Sequence, residues 1–167
     1  MRSKLLVGSF VLFAVLFGVA LWWFQTRAFY ERLSGPGDVI VQGQTLPVAE
    51  FEGIDAGTSP LKLRACFRVA EGVAGDALAI FPAAEDATPL VAPGWFDCFD
   101  AAAIQAGISD GSIRAVLAEA DAPWGFDRLV AVAPDGRGWM WRQMNACGRA
   151  KFEGDPLPSH CPPPPEG

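Results

Sequence analysis

The sequence predicts an α+β protein: an N-terminal transmembrane helix, then a small antiparallel-sheet domain with one main helix, stabilised by disulfides. Three observations carry this expectation. Residues 5–24 form an apolar run without a single charge. The rest of the chain breaks into short β-branched or alternating segments separated by Gly and Pro clusters, which is strand-and-turn punctuation. All four cysteines lie beyond the apolar run.

The apolar run sets the domain organisation. Twenty helical residues rise about 30 Å, the thickness of a bilayer's hydrocarbon core. Trp22, Trp23 and Tyr30 stand at its C-terminal end, where amphipathic rings favour the headgroup level. The organisation read from this is a cytoplasmic flank at 1–4, a membrane helix at 5–26, a stalk at 27–37, an exported α+β domain at 38–150 and a Pro-rich tail at 151–167. The lipid bilayer is thus one expected partner, through residues 5–26. The rival reading is a signal peptide cleaved after Gly18-Val19-Ala20, which would leave Leu21-Trp22-Trp23-Phe24 as an apolar new N-terminus. Both readings export the domain. The short Arg2- and Lys4-bearing flank favours a cytoplasmic N-terminus.

Composition is meaningful only after this split. The whole chain has 167 residues, 51% of them hydrophobic, and a net charge of −6. Arg2, Lys4, Arg27 and Arg32 against Glu31 give residues 1–32 a charge of +3, leaving −9 for residues 33–167. An exported domain that acidic lacks the basic footprint of a nucleic-acid binder.

Cys66, Cys98, Cys147 and Cys161 on the oxidising side imply two disulfides. Of the three possible pairings, Cys66–Cys98 with Cys147–Cys161 is preferred. The second bond closes a Gly- and Pro-rich loop, worth about 3 kcal/mol in the chain-entropy model, and fastens the tail. No CxxC redox motif and no CxxCH haem site occurs.

The elements follow in order. Ser34-Gly35-Pro36-Gly37 is a turn cluster. Residues 38–42 and 46–51 are expected to pair as a hairpin across Gly43-Gln44-Thr45, with a polar loop at 53–60. Residues 61–69 alternate strictly, setting Lys62, Arg64, Cys66 and Arg68 on a basic face and Leu61, Leu63, Ala65, Phe67 and Val69 on an apolar one. Residues 76–82 are a short apolar run without a clear period. Pro93-Gly94 turns the chain into Trp95-Phe96-Asp97-Cys98-Phe99. Asp100 is placed to cap an alanine-rich helix at 101–106 that ends near Gly107. Residues 112–119 read as a strand. Residues 129–133 and 139–144 form a hairpin about Pro134-Asp135-Gly136. From Cys147 onward no regular element is expected.

The motifs for chemistry are sparse. A hydrolase triad needs a histidine, and the single His160 lies in the tail. Two carboxylate pairs, Asp97 with Asp100 and Asp121 with Asp127, are open to acid–base work if one member is buried; capping and turn roles explain them as well. Met140, Met144, Cys147, His160 and Cys161 contain soft copper ligands, against a plain reading of core methionines and a disulfide. No phosphate loop, EF-hand, zinc or dinucleotide motif is present. The sequence therefore assigns no catalytic, cofactor-binding or metal residue and no cofactor. Trp95, Trp124, Trp139 and Trp141 are the candidate interaction surface, since Trp is enriched at interfaces; filling the core is the alternative.

The strings Arg64-Ala65-Cys66-Phe67, Pro93-Gly94-Trp95-Phe96-Asp97-Cys98-Phe99-Asp100, Asp127-Arg128-Leu129-Val130, Pro134-Asp135-Gly136-Arg137-Gly138 and Cys161 with its four prolines together resemble a family of short, membrane-anchored alphaproteobacterial proteins of unknown function. Some relatives are labelled histidine kinases, but this chain has no room for a phosphoacceptor helix pair and an ATP-binding domain. The resemblance implies a bacterial inner membrane and a periplasmic domain, and brings no activity or catalytic residue. The function expected is a single-pass inner-membrane protein whose periplasmic domain binds another envelope protein as an accessory, assembly or regulatory component. The alternatives are a carboxylate-dependent enzyme and a copper-handling protein.

Overall fold

The computed structural model describes residues 2–34, 39–70 and 77–165. The Gly35-Pro36-Gly37 turn, and Asp38 and Asp76 at the starts of two expected segments, lie outside them. The chain divides into two compact units, Met1–Tyr30 and Glu31–Gly167.

The first unit is helix α1, Arg2–Thr26, followed by a turn in which the Tyr30 N–H donates to the Arg27 carbonyl at 3.2 Å. Its apolar residues are spread round the whole helix and do not form a single stripe. The helix is long and apolar enough to cross a membrane.

The second unit is built on a six-stranded sheet of β1 (Glu31–Ser34), β4 (Val48–Asp55), β5 (Arg64–Val69), β6 (Arg114–Glu119), β7 (Phe126–Val132) and β8 (Arg137–Met144). The order is β1-β4-β5-β8-β7-β6, and every pairing is antiparallel. The expected stalk therefore ends early, because Glu31–Ser34 pairs with β4 as an edge strand. A separate hairpin joins β2 (Val39–Val41) to β3 (Gln44–Leu46). Its turn is Gln42-Gly43, both at positive φ (49° and 79°), the two-residue geometry that matches strand twist. The expected pairing of 38–42 with 46–51 across residues 43–45 is therefore corrected: the turn is the two residues 42–43, and the partner strand is Gln44–Leu46. Val48 onward belongs to β4, which pairs with β1 and β5 instead. The polar loop expected at 53–60 starts only after Asp55, since β4 runs to that residue.

Register separates two buried faces. Ala65, Val130 and Met140 stand abreast on one, with Phe67, Val69 and Val132. The β2–β3 hairpin covers this face with Val39, Val41 and Leu46, joined by Leu78 and Phe81. Hydrogen bonds from the Gln42 N–H to the Ala118 carbonyl (2.8 Å) and from Gln42 Nε2 to the Leu117 carbonyl (3.0 Å) fasten the hairpin. On the other face Arg64 lies beside Trp141, and Cys66 beside Trp139. The segment through Phe96 and Phe99 covers it, tied by the Cys66–Cys98 disulfide.

That second covering overturns the expected basic face. Alternation marks two faces but does not say that one is solvated. Arg64 is only 4% exposed, and it is accommodated by hydrogen bonds to carbonyls. Its guanidinium donates to Leu90 (2.7 Å), Leu61 (2.8 Å) and Leu63, and lies 5.6 Å from the Phe99 ring centre. Arg68 alone of that set remains exposed within β5. The strand also begins three residues later than expected, because Pro60–Lys62 form a 3-10 turn capped by Ser59.

Asp100 caps α2, Ala101–Asp110, accepting from the Ala102 and Ala103 N–H groups at 3.0 Å. The helix runs past Gly107, which is buried within it, and stops at Gly111 in the left-handed region. A further helix, α3 (Ala146–Glu153), was not expected. Among the described residues the domain thus carries, beside the expected helix α2, a second and shorter one.

Candidate functional site

Helix α3 organises the polar end of the domain. Asn145 is its N-cap, with Oδ1 accepting from the Gly148 N–H at 3.0 Å. The Asn145 amide Nδ2 donates to Asp127 at 2.8 Å and to Asp121 at 2.9 Å. Asp121 also accepts from the Gly125 N–H, and Asp127 from the Asp121 N–H. The structure therefore brings Asp121, in the β6–β7 loop, and Asp127, at the start of β7, together as acceptors in a latch to the N-cap of α3. Close backbone contact completes the latch: a Cβ on Gly148 would collide with the Gly125 carbonyl.

Across from α3, Gln143 holds the 86–88 loop. Its Oε1 accepts from the Thr88 N–H and its Nε2 donates to the Asp86 carbonyl, both at 2.8 Å. Between this loop and α3 lies an open groove of about 930 Å³. Asp86, Asp127, Glu153 and Asp155 line it, with Arg149 the only basic residue among its lining. Apolar floor comes from Leu61, Leu90 and Met144. The groove presents net negative charge over an apolar base, an arrangement suited to a cationic ligand with an aliphatic or aromatic stem.

Asp110 and Asp135 have carboxyls held below the ordinary carboxylate range. The Ser112 hydroxyl and then its N–H stabilise the charged form of Asp110. The Arg137 N–H and then its side chain do so for Asp135. Both are turn fastenings on the surface, away from the groove lining.

The four aromatic candidates divide. Trp139 and Trp141 are 5% and 0% exposed, so they belong to the core and offer no docking surface. Trp139 Nε1 donates to the Cys98 carbonyl at 3.2 Å, and Trp141 meets Phe99 edge-on at 6.3 Å. The same second covering that buries Arg64 buries them. Trp95 and Trp124 are half-buried. Arg32 lies 5.7 Å from the Trp95 ring centre, and Lys151 lies 5.2 Å from that of Trp124.

Asp97 and Asp100 are exposed, and Asp100 is committed to its cap. Met140 sits in the apolar core beside Ala65 and Val130, while Met144 lines the groove. Cys147 and Cys161 are bonded to each other, with His160 beside them. Gln143, Asn145 and Arg149 shape the groove and were absent from the sequence candidates. Asn145 had a readable signal, an N-cap residue nine positions before Gly154 around a helix-compatible stretch.

With this geometry in view, the sequence matches the profile of a family of unknown function, DUF6446, over residues 39–162. The chain belongs to that family. The DUF6446 match begins at β2 and ends within the proline tail, so it takes in both disulfides, the groove and α3 while leaving α1 and β1 outside. No curated protein and no solved structure matches the chain.

Proposed function

We propose that this protein is a single-pass inner-membrane protein whose periplasmic DUF6446 domain binds a basic segment of another envelope protein, as an accessory, assembly or regulatory component. The observation that carries this reading is the groove between the 86–90 loop and α3, with four carboxylates and one arginine along it. Two disulfides and an apolar N-terminal helix support export and anchoring. An acidic domain tethered near anionic headgroups is repelled by them, which leaves its groove available to a soluble or membrane-bound cationic partner. Half-buried Trp124, next to α3 in the fold through Lys151, offers an aromatic edge to the same partner.

The carboxylate-enzyme reading gains nothing from the geometry. Asp121 and Asp127 share one amide donor, and Asp97 and Asp100 are exposed.

A photo-crosslinking residue at Pro156, an exposed position of the same groove lining, in the full chain expressed in its native membranes, tests the proposal. The expected result is one stoichiometric adduct that disappears when Glu153→Lys/Asp155→Lys is added and weakens with salt. Adducts that are absent, or insensitive to both charge reversal and salt, overturn it.

A further inference from the structure

The C-terminal clasp holds more than a bond. The chain has one histidine, and a ring nitrogen of that His160 lies within 4.8 Å of both sulfurs of the Cys147–Cys161 pair. The other disulfide, Cys66–Cys98, has no histidine beside it because the sequence contains no second one.

The plain reading is a structural staple for the tail. Two features go beyond a staple. First, the tail is held independently of the sulfur–sulfur bond. Trp124 Nε1 donates to the Pro162 carbonyl at 3.0 Å, and within the tail the Cys161 N–H donates to the Pro158 carbonyl at 3.0 Å, a turn that carries His160. With the disulfide open, the turn still sets His160 beside Cys161, and the Trp124 bond still ties the tail to the loop that packs on Gly148 of α3. Second, Cys147 sits in the first turn of α3, an eight-residue helix, where the aligned peptide dipoles favour a thiolate.

We propose that Cys147, His160 and Cys161 are a redox-gated site for a soft d10 cation, Zn²⁺ or Cu(I), closed in the disulfide form and opened by a protein dithiol reductant. The chemistry balances. A thiolate of the reductant attacks the half-exposed Cys161 sulfur and Cys147 leaves as a thiolate. The reductant's second thiol then displaces Cys161 from the mixed disulfide. The net change is two electrons and two protons to this chain and one disulfide in the reductant. Cation binding then displaces the thiol protons.

The required movement is small. Zinc–sulfur bonds of about 2.3 Å in tetrahedral array place two sulfurs roughly 3.8 Å apart. The Cα atoms of Cys147 and Cys161 stand 5.7 Å apart, a separation within reach of two sulfurs on one cation. Two thiolates and an imidazole satisfy trigonal Cu(I), and the exposed position of His160 lets water complete a tetrahedral Zn²⁺ site. The site makes no use of the groove and stands or falls independently of the partner reading.

The test is titration of the full chain in detergent with Zn²⁺, and separately with chelator-buffered Cu(I), before and after anaerobic phosphine reduction. One equivalent of either cation is expected to bind the reduced form at least ~100-fold more tightly than the oxidised form, with His160→Ala weakening it by about 10-fold or more. Co²⁺ in the reduced protein should show sulfur-to-cobalt bands of two-thiolate strength, lost in Cys147→Ser. His160 is exposed, so its variant keeps the fold and its affinity is interpretable even if the cysteine variants fail to fold. Equal affinity in the two redox states overturns the proposal. So does binding to the reduced form that His160→Ala leaves unchanged, which would mark a bare dithiol without a built site.

Discussion

Arg64 shows how a single residue can reverse the reading of a strand. Its guanidinium needs several acceptors once buried, and the carbonyls of Leu61, Leu63 and Leu90 provide them. Those carbonyls in turn belong to segments with no strand partner of their own, so the side chain fastens the 60–63 turn and the 90–91 segment to the sheet. Replacing Arg64 with Met keeps the stem and removes the donors, stranding buried acceptors at roughly 1–3 kcal/mol each. Arg64→Met is expected to lower unfolding free energy by about 3 kcal/mol, read from the urea midpoint of tryptophan fluorescence. An unchanged midpoint would mean that the carbonyls find water instead. From the sequence, Arg64 looked like one of three alternating cations. Nothing local distinguishes it from Arg68, because the covering segment that buries it lies 26 residues away.

At the scale of elements, the hairpin of β7 and β8 and the capped helix α2 were legible because their signals are local. Pro134-Asp135-Gly136 forces the turn, with Gly136 at φ 81°, and Asp100 reaches the N–H groups two and three residues on. Helix α3 was not legible, being obscured by the glycines and prolines around it. Its Gly148 is there for close approach: a Cβ would strike the Gly125 backbone, and Gly125 is itself at φ 81°. Backbone cannot yield as a side chain does, so Gly148→Ala is expected to cost about 1–3 kcal/mol. The loss should be local, with faster hydrogen exchange in α3 and in the Asp121–Asp127 loop while the β5–β8 centre stays protected. Uniform loss across the sheet would contradict the latch.

For the whole molecule, the two disulfides have separate tasks. Cys66–Cys98 spans 32 positions and pins the second covering layer to the sheet, whereas Cys147–Cys161 spans 14 and holds the tail to α3. The chain-entropy model assigns the longer loop about 3–4 kcal/mol, a large share of the roughly 5–15 kcal/mol available to a domain. Cys66→Ser/Cys98→Ser should therefore lower the thermal midpoint of the domain markedly and expose Trp139 and Trp141, seen as a red-shifted emission. Loss of stability without that shift would show that the covering layer stays in place on its own. What the sequence by itself determined is whatever depends on neighbours along the chain: an apolar run long enough to span a bilayer, an even set of cysteines beyond it, the turns, and the cap of α2. It also sufficed for family membership. Tertiary structure decided which faces are covered, and hence that Trp139, Trp141 and Arg64 lie inside. It also decided that Asp121, Asp127 and Asn145 meet, that a groove opens beside α3, and that His160 stands against a disulfide. Alternation and spacing specify which side a residue takes, but burial and convergence depend on what distant segments lay over that side.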